Sequence, residues 1–130
     1  MGSIRILILL SLLSWACSPK PTLSEQLMGK WHIHKVVIRG MDVSGEHNPD
    51  NDRWICFFHD GNYAGDGGKP GKNSGRYSLD EVTAVLMLDS DAGEDDDTNW
   101  IVHFSRDTLV MQGIGTPRQE NSFIYAVRNH

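Results

Sequence analysis

The chain has 130 residues, 39% of them hydrophobic and 22% charged, with a formal charge of -5 and a pI near 5.6. That is one domain of globular composition, neither disordered nor collagen-like. The acidic balance excludes a general nucleic-acid binder, and 2 cysteines are too few for a disulfide-stapled scaffold.

The N terminus reads as an address. Arg5 precedes an apolar run over 6–13, and Ala16-Cys17 follows a few mixed residues later. This is the order of charged, apolar and cleavage regions in a secretory signal. The run is well short of the roughly 20 residues that cross a bilayer, so its removal is expected. Ala16-Cys17 resembles the cut site of a bacterial lipoprotein signal. That resemblance implies a signal peptide over 1–16, lipid attachment at Cys17 and a lipidated tether over 17–21. The alternative is an ordinary secretory signal cut nearby. Myristoylation does not fit, because Ile6 stands where that pattern needs Ser or Thr. Ser18-Pro19-Lys20-Pro21 makes a short extended linker. Loss of residues 1–16 leaves a mature charge of -6. Attachment to a membrane would therefore come from acyl chains, not from a basic patch. With Cys17 acylated, Cys56 has no partner, and Trp54, Ile55, Phe57 and Phe58 around it suggest a buried thiol.

Thr22-Leu23-Ser24-Glu25 is a capping box, Leu23, Leu27 and Met28 have helical spacing, and Gly29 suits a C-terminal cap. One short helix is expected over 23–28 and no other. The rest is punctuated like an all-β protein, with strands expected over 30–38, 53–58, 62–65, 76–79, 82–88, 100–105, 108–112 and 122–128. Asp60-Gly61 is a hairpin turn signal, Arg106-Asp107 a tight link, and 65–75 a flexible glycine-rich loop. Sequential strands with short links favour an eight-stranded up-and-down antiparallel barrel, which removes sheet edges; a β-sandwich is the rival closure.

Gly29-Lys30-Trp31, which follows the helix and opens the first strand, is similar to the Gly-x-Trp motif of lipocalins and other calycins. In that family a late arginine packs over the tryptophan at the closed end of the barrel, and Arg128 ends the last strand here. The stretch from Phe57 to Tyr63 resembles the Phe-x-x-Asp-Gly-x-Tyr turn of small bacterial lipocalin-like lipoproteins. Ser74-Gly75-Arg76-Tyr77 and Asp107-Thr108-Leu109-Val110-Met111 follow the rhythm of the same proteins. The resemblance spans about residues 22–128. It implies a lipocalin-like barrel domain over 22–130, closed by Gly29, Trp31 and Arg128, and shorter than a typical lipocalin.

The chemistry-bearing residues point away from catalysis. His32 and His34 share a strand face and His103 is the candidate third ligand, but solvent-facing strand histidines are the commoner case. No metal and no cofactor are expected. Cys56 and His59 have an odd separation, which puts them on opposite faces and breaks a nucleophile pair. The glycine-rich segments miss phosphate-loop spacing. Residues 89–97 carry six carboxylates in nine residues, read as a solvated acidic loop. Trp54, Tyr63, Trp100, Phe104 and Tyr125 are the candidates to line a pocket, against the simpler reading that they fill the core.

The sequence thus suggests a lipid-anchored protein of the bacterial envelope, on the periplasmic face of the outer membrane. It would bind a small apolar or amphipathic molecule in or at the barrel mouth. The alternative is a non-catalytic structural protein with a filled barrel that contacts an envelope partner.

Overall fold

A computed structural model describes residues 19–66 and 73–129. Helix α1 (Leu23–Leu27) leads into β1 (Gly29–Ile38), the two-residue β2 (Met41–Asp42) and helix α2 (Ser44–His47). Then come β3 (Trp54–Phe57), β4 (Asn62–Gly65), β5 (Ser74–Leu79) and β6 (Val85–Ser90). After a 3-10 turn (Glu94–Asp96) follow β7 (Thr98–Ser105), β8 (Thr108–Ile114), helix α3 (Pro117–Glu120) and β9 (Ser122–Arg128).

From β3 to β9 each strand pairs antiparallel with the next. β1 closes the circle. Its first half pairs with β3, from Gly29↔Phe57 to His32↔Trp54. Its other edge pairs with β9, from Trp31↔Arg128 to Ile38↔Ser122. The result is a closed eight-stranded antiparallel barrel, with β2 folded onto the end of β1. Closure leaves none of these eight strands as a free sheet edge.

Alternation fixes what points inward. The registers place Trp31, Ile33, Phe57, Tyr63, Leu86, Leu88, Trp100, Val102, Leu109, Met111 and Ala126 on the inner face, and all of them are buried. A β-bulge between Ile33 and Lys35 switches the parity of β1, so Val36 and Ile38 continue the inner face. The bulge frees backbone groups that side chains then satisfy. Asn48, itself buried, donates from Nδ2 to the Ile33 carbonyl at 2.6 Å. Ser44 Oγ accepts from the Val36 amide at 2.9 Å.

Several sequence expectations change. α2 and α3 were not expected, and both are single turns in links between strands. Pro117 at the first helical position and the Thr116 hydroxyl, which accepts from Gln119 N, were the available signal for α3. The strand expected over 82–88 begins only at Val85. Asp80 Oδ1 accepts from the amides of Val82 and Thr83, and Ala84 has φ +59°, so 80–84 is a turn and Val82 is 95% exposed. Met28 is the last half-helical residue of α1, and Gly29 follows it at φ +106°, the glycine position just past a helix end, turning the chain into β1.

The two ends of the barrel differ. The links 58–61, 80–84 and 106–107 lie at one end together with α1. The links 39–53, 91–97 and 115–121 lie at the other, with Asp66 and Asn73 beside them. At the first end Leu27, Trp31, Phe57, Leu86 and Leu109 are 0–1% exposed, so this end is packed shut.

Candidate functional site

The closed end is built around one indole. Trp31 donates from Nε1 to the Leu27 carbonyl at 2.7 Å, which ties β1 to α1. The Arg128 guanidinium lies 4.2 Å over the Trp31 ring, a cation–π contact. The same guanidinium donates from Nη1 to the Met28 carbonyl at 2.7 Å and from Nη2 to the Gln26 carbonyl. It therefore satisfies two of the orphan carbonyls at the helix end. A Cβ at position 29 would sit 3.2 Å from Arg128 Nη1, so glycine here serves both the positive φ and the close approach of the guanidinium.

The start of α1 is held from another link. Glu81 accepts from the amides of Leu23 and Ser24 at 2.8 and 3.0 Å and from the Ser24 hydroxyl at 2.6 Å. Thr22 Oγ1 accepts from Glu25 N at 3.1 Å. The first three amides of the helix are thus all satisfied. The bond from the Ser24 hydroxyl, with the two amide bonds, holds the Glu81 carboxyl below its usual range.

The open end contains the cavity. Its main chamber holds about 270 Å³, walled by Ile33, Ile55, Leu88, Trp100, Met111 and Ile124, with Arg53, Tyr63, Asp66, Asp96 and Thr98 as polar neighbours. A second chamber of about 170 Å³ adjoins it and shares Ile33, Arg53, Trp100 and Ile124. Trp100 donates from Nε1 to Thr98 Oγ1 at 2.8 Å, so its N–H is satisfied within the wall. Arg53 spans both chambers, with Nη1 donating to the His47 carbonyl at 2.9 Å. Burial pushes the Tyr63 phenol above its usual pKa, its bond with the Ser90 side chain opposes that, and the carboxylates of Asp91, Asp97 and Asp89 push further upward. Helix α3 folds over part of this end. A Cβ on Gly113 would come within 2.1 Å of the Gln119 carbonyl oxygen, so only glycine lets that turn settle on β8.

The candidate pocket residues separate into three places. Tyr63 and Trp100 line the cavity. Phe104 points inward at the other end, its ring 6.0 Å from that of Trp31, and belongs to the closed-end packing. Trp54 and Tyr125 have outward register, Trp54 beneath Lys30 Nζ at 4.5 Å and Tyr125 beneath Lys35 Nζ at 5.5 Å; Trp54 only borders the cavity rim. Ile33, Leu88, Met111, Ile124 and Arg53 were not singled out from sequence. The first four follow once strand parity is known, whereas nothing local marks Arg53.

Cys56 is half-buried on the outer face, not in the core. Its register partners are Lys30 and Ala64. Burial pushes its thiol pKa up, against the pull of Lys30. His32 Nε2 lies 3.3 Å from Asn51 Oδ1, and His34 stands beside the Tyr125 ring at 6.5 Å. His103 is three strands from β1 through Val110 and Tyr125, about 14 Å at the usual strand spacing. Among the described residues no group of three or more His, Cys, Asp or Glu is placed to hold a metal ion. Cys17 and the expected signal peptide lie outside the described residues. Compared with protein-family models and with curated proteins, the chain matches none.

Proposed function

We propose that this is a lipocalin-like, lipid-anchored envelope protein that binds a small apolar or amphipathic molecule at the open end of its barrel. The observation that carries the reading is the asymmetry of the interior. One end is packed shut around Trp31, while the other keeps a 270 Å³ chamber with an apolar wall and a few convergent polar groups. That is the usual composition of a small-molecule site, at the lower edge of the usual size of about 300 Å³ and upward. Gly29-Lys30-Trp31 with Arg128 stacked on the indole supports the lipocalin-like part. Attachment through Cys17 rests on the sequence resemblance. The reading is of a binding protein, not an enzyme.

The test fills the chamber. Ile124 walls both chambers, and its register partners are Met111 and Val36. Ile124→Trp places an indole in the space at a cost of about 1–3 kcal/mol from overpacking. Titration calorimetry with naphthylmethanol, a neutral apolar probe, should show binding to the natural protein and at least tenfold weaker binding to the variant. Equal binding to both would move the probe, and the reading, out of the chamber. Failure of this probe and of smaller apolar probes to bind the natural protein would favour the envelope-partner role instead.

A further inference from the structure

We infer that the outer face of β7, β8 and β9 is a contact for a second copy of this chain, related to the first by a two-fold axis along β8. The composition of this face departs from the rest of the barrel wall. None of the outward positions on these three strands is Asp, Glu, Lys or Arg. The outward positions elsewhere include Lys30 and Lys35 on β1, Arg76 on β5 and Asp89 on β6. In a chain with 22% charged residues, three adjacent strands without one are unlike an ordinary solvated wall. Depletion of charge with apolar and aromatic side chains kept is the composition of an interface core.

The centre of the face is a row of register partners that runs across the strands. Ile101 pairs with Gln112, and Gln112 with Phe123. Val85 extends the row beyond Ile101, and Val37 beyond Phe123. All five are only half-buried. The row is symmetrical in character: a carboxamide in the middle, a large apolar side chain on each side, a valine beyond each. A two-fold axis along β8 maps such a row onto itself, so Ile101 of one copy meets Phe123 of the other in both directions. Gln112 then faces Gln112, and a carboxamide carries both the donor and the acceptor that this pair needs.

Charge and area point to the same occupant. Each copy carries a formal charge of -5, so two copies repel unless they meet at an uncharged face. An anionic lipid surface or a charged partner finds no opposite charge here to hold it. Three strands of 7 or 8 residues make a face about 14 Å wide and about 23 Å long, the weak end of specific interfaces, which supports a reversible dimer. The axis runs from the closed end to the open end. It therefore sets both α1 helices on the same side, as the proposed attachment of both copies to one membrane would require.

The test is sedimentation equilibrium of the full chain, density-matched in a nonionic detergent. It should show a monomer–dimer equilibrium with a Kd of about 10–100 μM. Gln112→Lys sets two ammonium groups at the axis and should weaken the dimer about tenfold, and Gln112→Glu should do the same. An equimolar mixture of these two variants should recover the natural Kd, which also shows that both fold. Ser78→Lys, on the exposed outer face of β5, should leave the equilibrium unchanged. A natural chain that stays monomeric up to about 500 μM, a dimer that Gln112→Lys leaves intact, or one that Ser78→Lys weakens equally would each overturn the inference. So would a mixture no tighter than either variant alone, because the face would then not meet itself. A monomeric natural chain that binds phosphatidylcholine vesicles, with binding lost in Gln112→Lys, would assign the face to a lipid surface instead.

Discussion

Arg128 shows how much one side chain can hold at a barrel end. Its guanidinium faces the Trp31 ring on one side and donates to the carbonyls of Met28 and Gln26 at its edge. The fork geometry matters, because two carbonyls in different directions need a planar donor set that a lysine lacks. Arg128→Met should cost about 2–3 kcal/mol, since it removes charge-assisted hydrogen bonds and the stacked cation together. Urea unfolding would measure it, and Arg128→Lys should recover only a minor part. Full recovery by lysine would mean that charge alone, not the fork, does the work. Cys56 makes the opposite point. Apolar neighbours in sequence suggested a buried thiol, yet strand alternation turns it outward beside Lys30. A run such as Trp54 to Phe58 is apolar on both faces, so composition alone could not decide which residues enter the core.

At the scale of elements, α1 is five residues long and is held by its neighbours, not by its own propensity. Glu81 supplies the anchor at its start and Arg128 at its end. This gives the docking of α1 a pH dependence. Bonding in the folded state lowers the Glu81 pKa. Its contribution is therefore complete above the ordinary glutamate value of about 4.3 and is lost as pH falls from there through the lowered folded value. Amide exchange at Leu23 and Ser24 should be slower in the natural protein than in Glu81→Gln at pH 6. The difference should vanish at the acid end of that window. A difference unchanged down to pH 2 would detach the effect from the carboxylate. The bulge of β1 belongs to this scale too. Asn48 fills the bond left open at the Ile33 carbonyl, and Asn48→Ala would leave that buried group unpaired at a cost of about 1–3 kcal/mol, readable as a lowered unfolding midpoint.

For the whole molecule, the decisive fact is where the chain enters. Residues 19–22 lead into α1, and α1 sits on the closed end. Cys17 precedes Pro19 by two residues, a reach of about 7 Å. An acylated Cys17 would hold the closed end toward the bilayer and turn the acidic mouth away from it. That orientation spares the mouth the repulsion of an anionic surface. Cys17→Ala should move the protein out of the detergent-rich phase and into the aqueous phase. Partition unchanged by the substitution would break the link between this cysteine and the membrane.

The sequence by itself determined the strand count of the barrel and the short first helix, while the pairing of Trp31 with Arg128 was implied only by the resemblance to lipocalins. The strand count and the helix rest on local signals: turn residues, a cap, and period-two patterning that any strand must carry. Tertiary structure alone decided which face of each strand points inward. The bulge after Ile33 shifts parity within β1, and the Asp80 turn delays β6 until Val85, so faces assigned by counting along the sequence do not carry from strand to strand. That is why Tyr125 and Phe104, credible pocket residues by type, stand outside the barrel and at its closed end, while Ile33, Arg53 and Ile124 meet at the chamber. Alternation is a local rule, but its phase is set by register, and register is fixed only when distant strands hydrogen-bond into a closed ring.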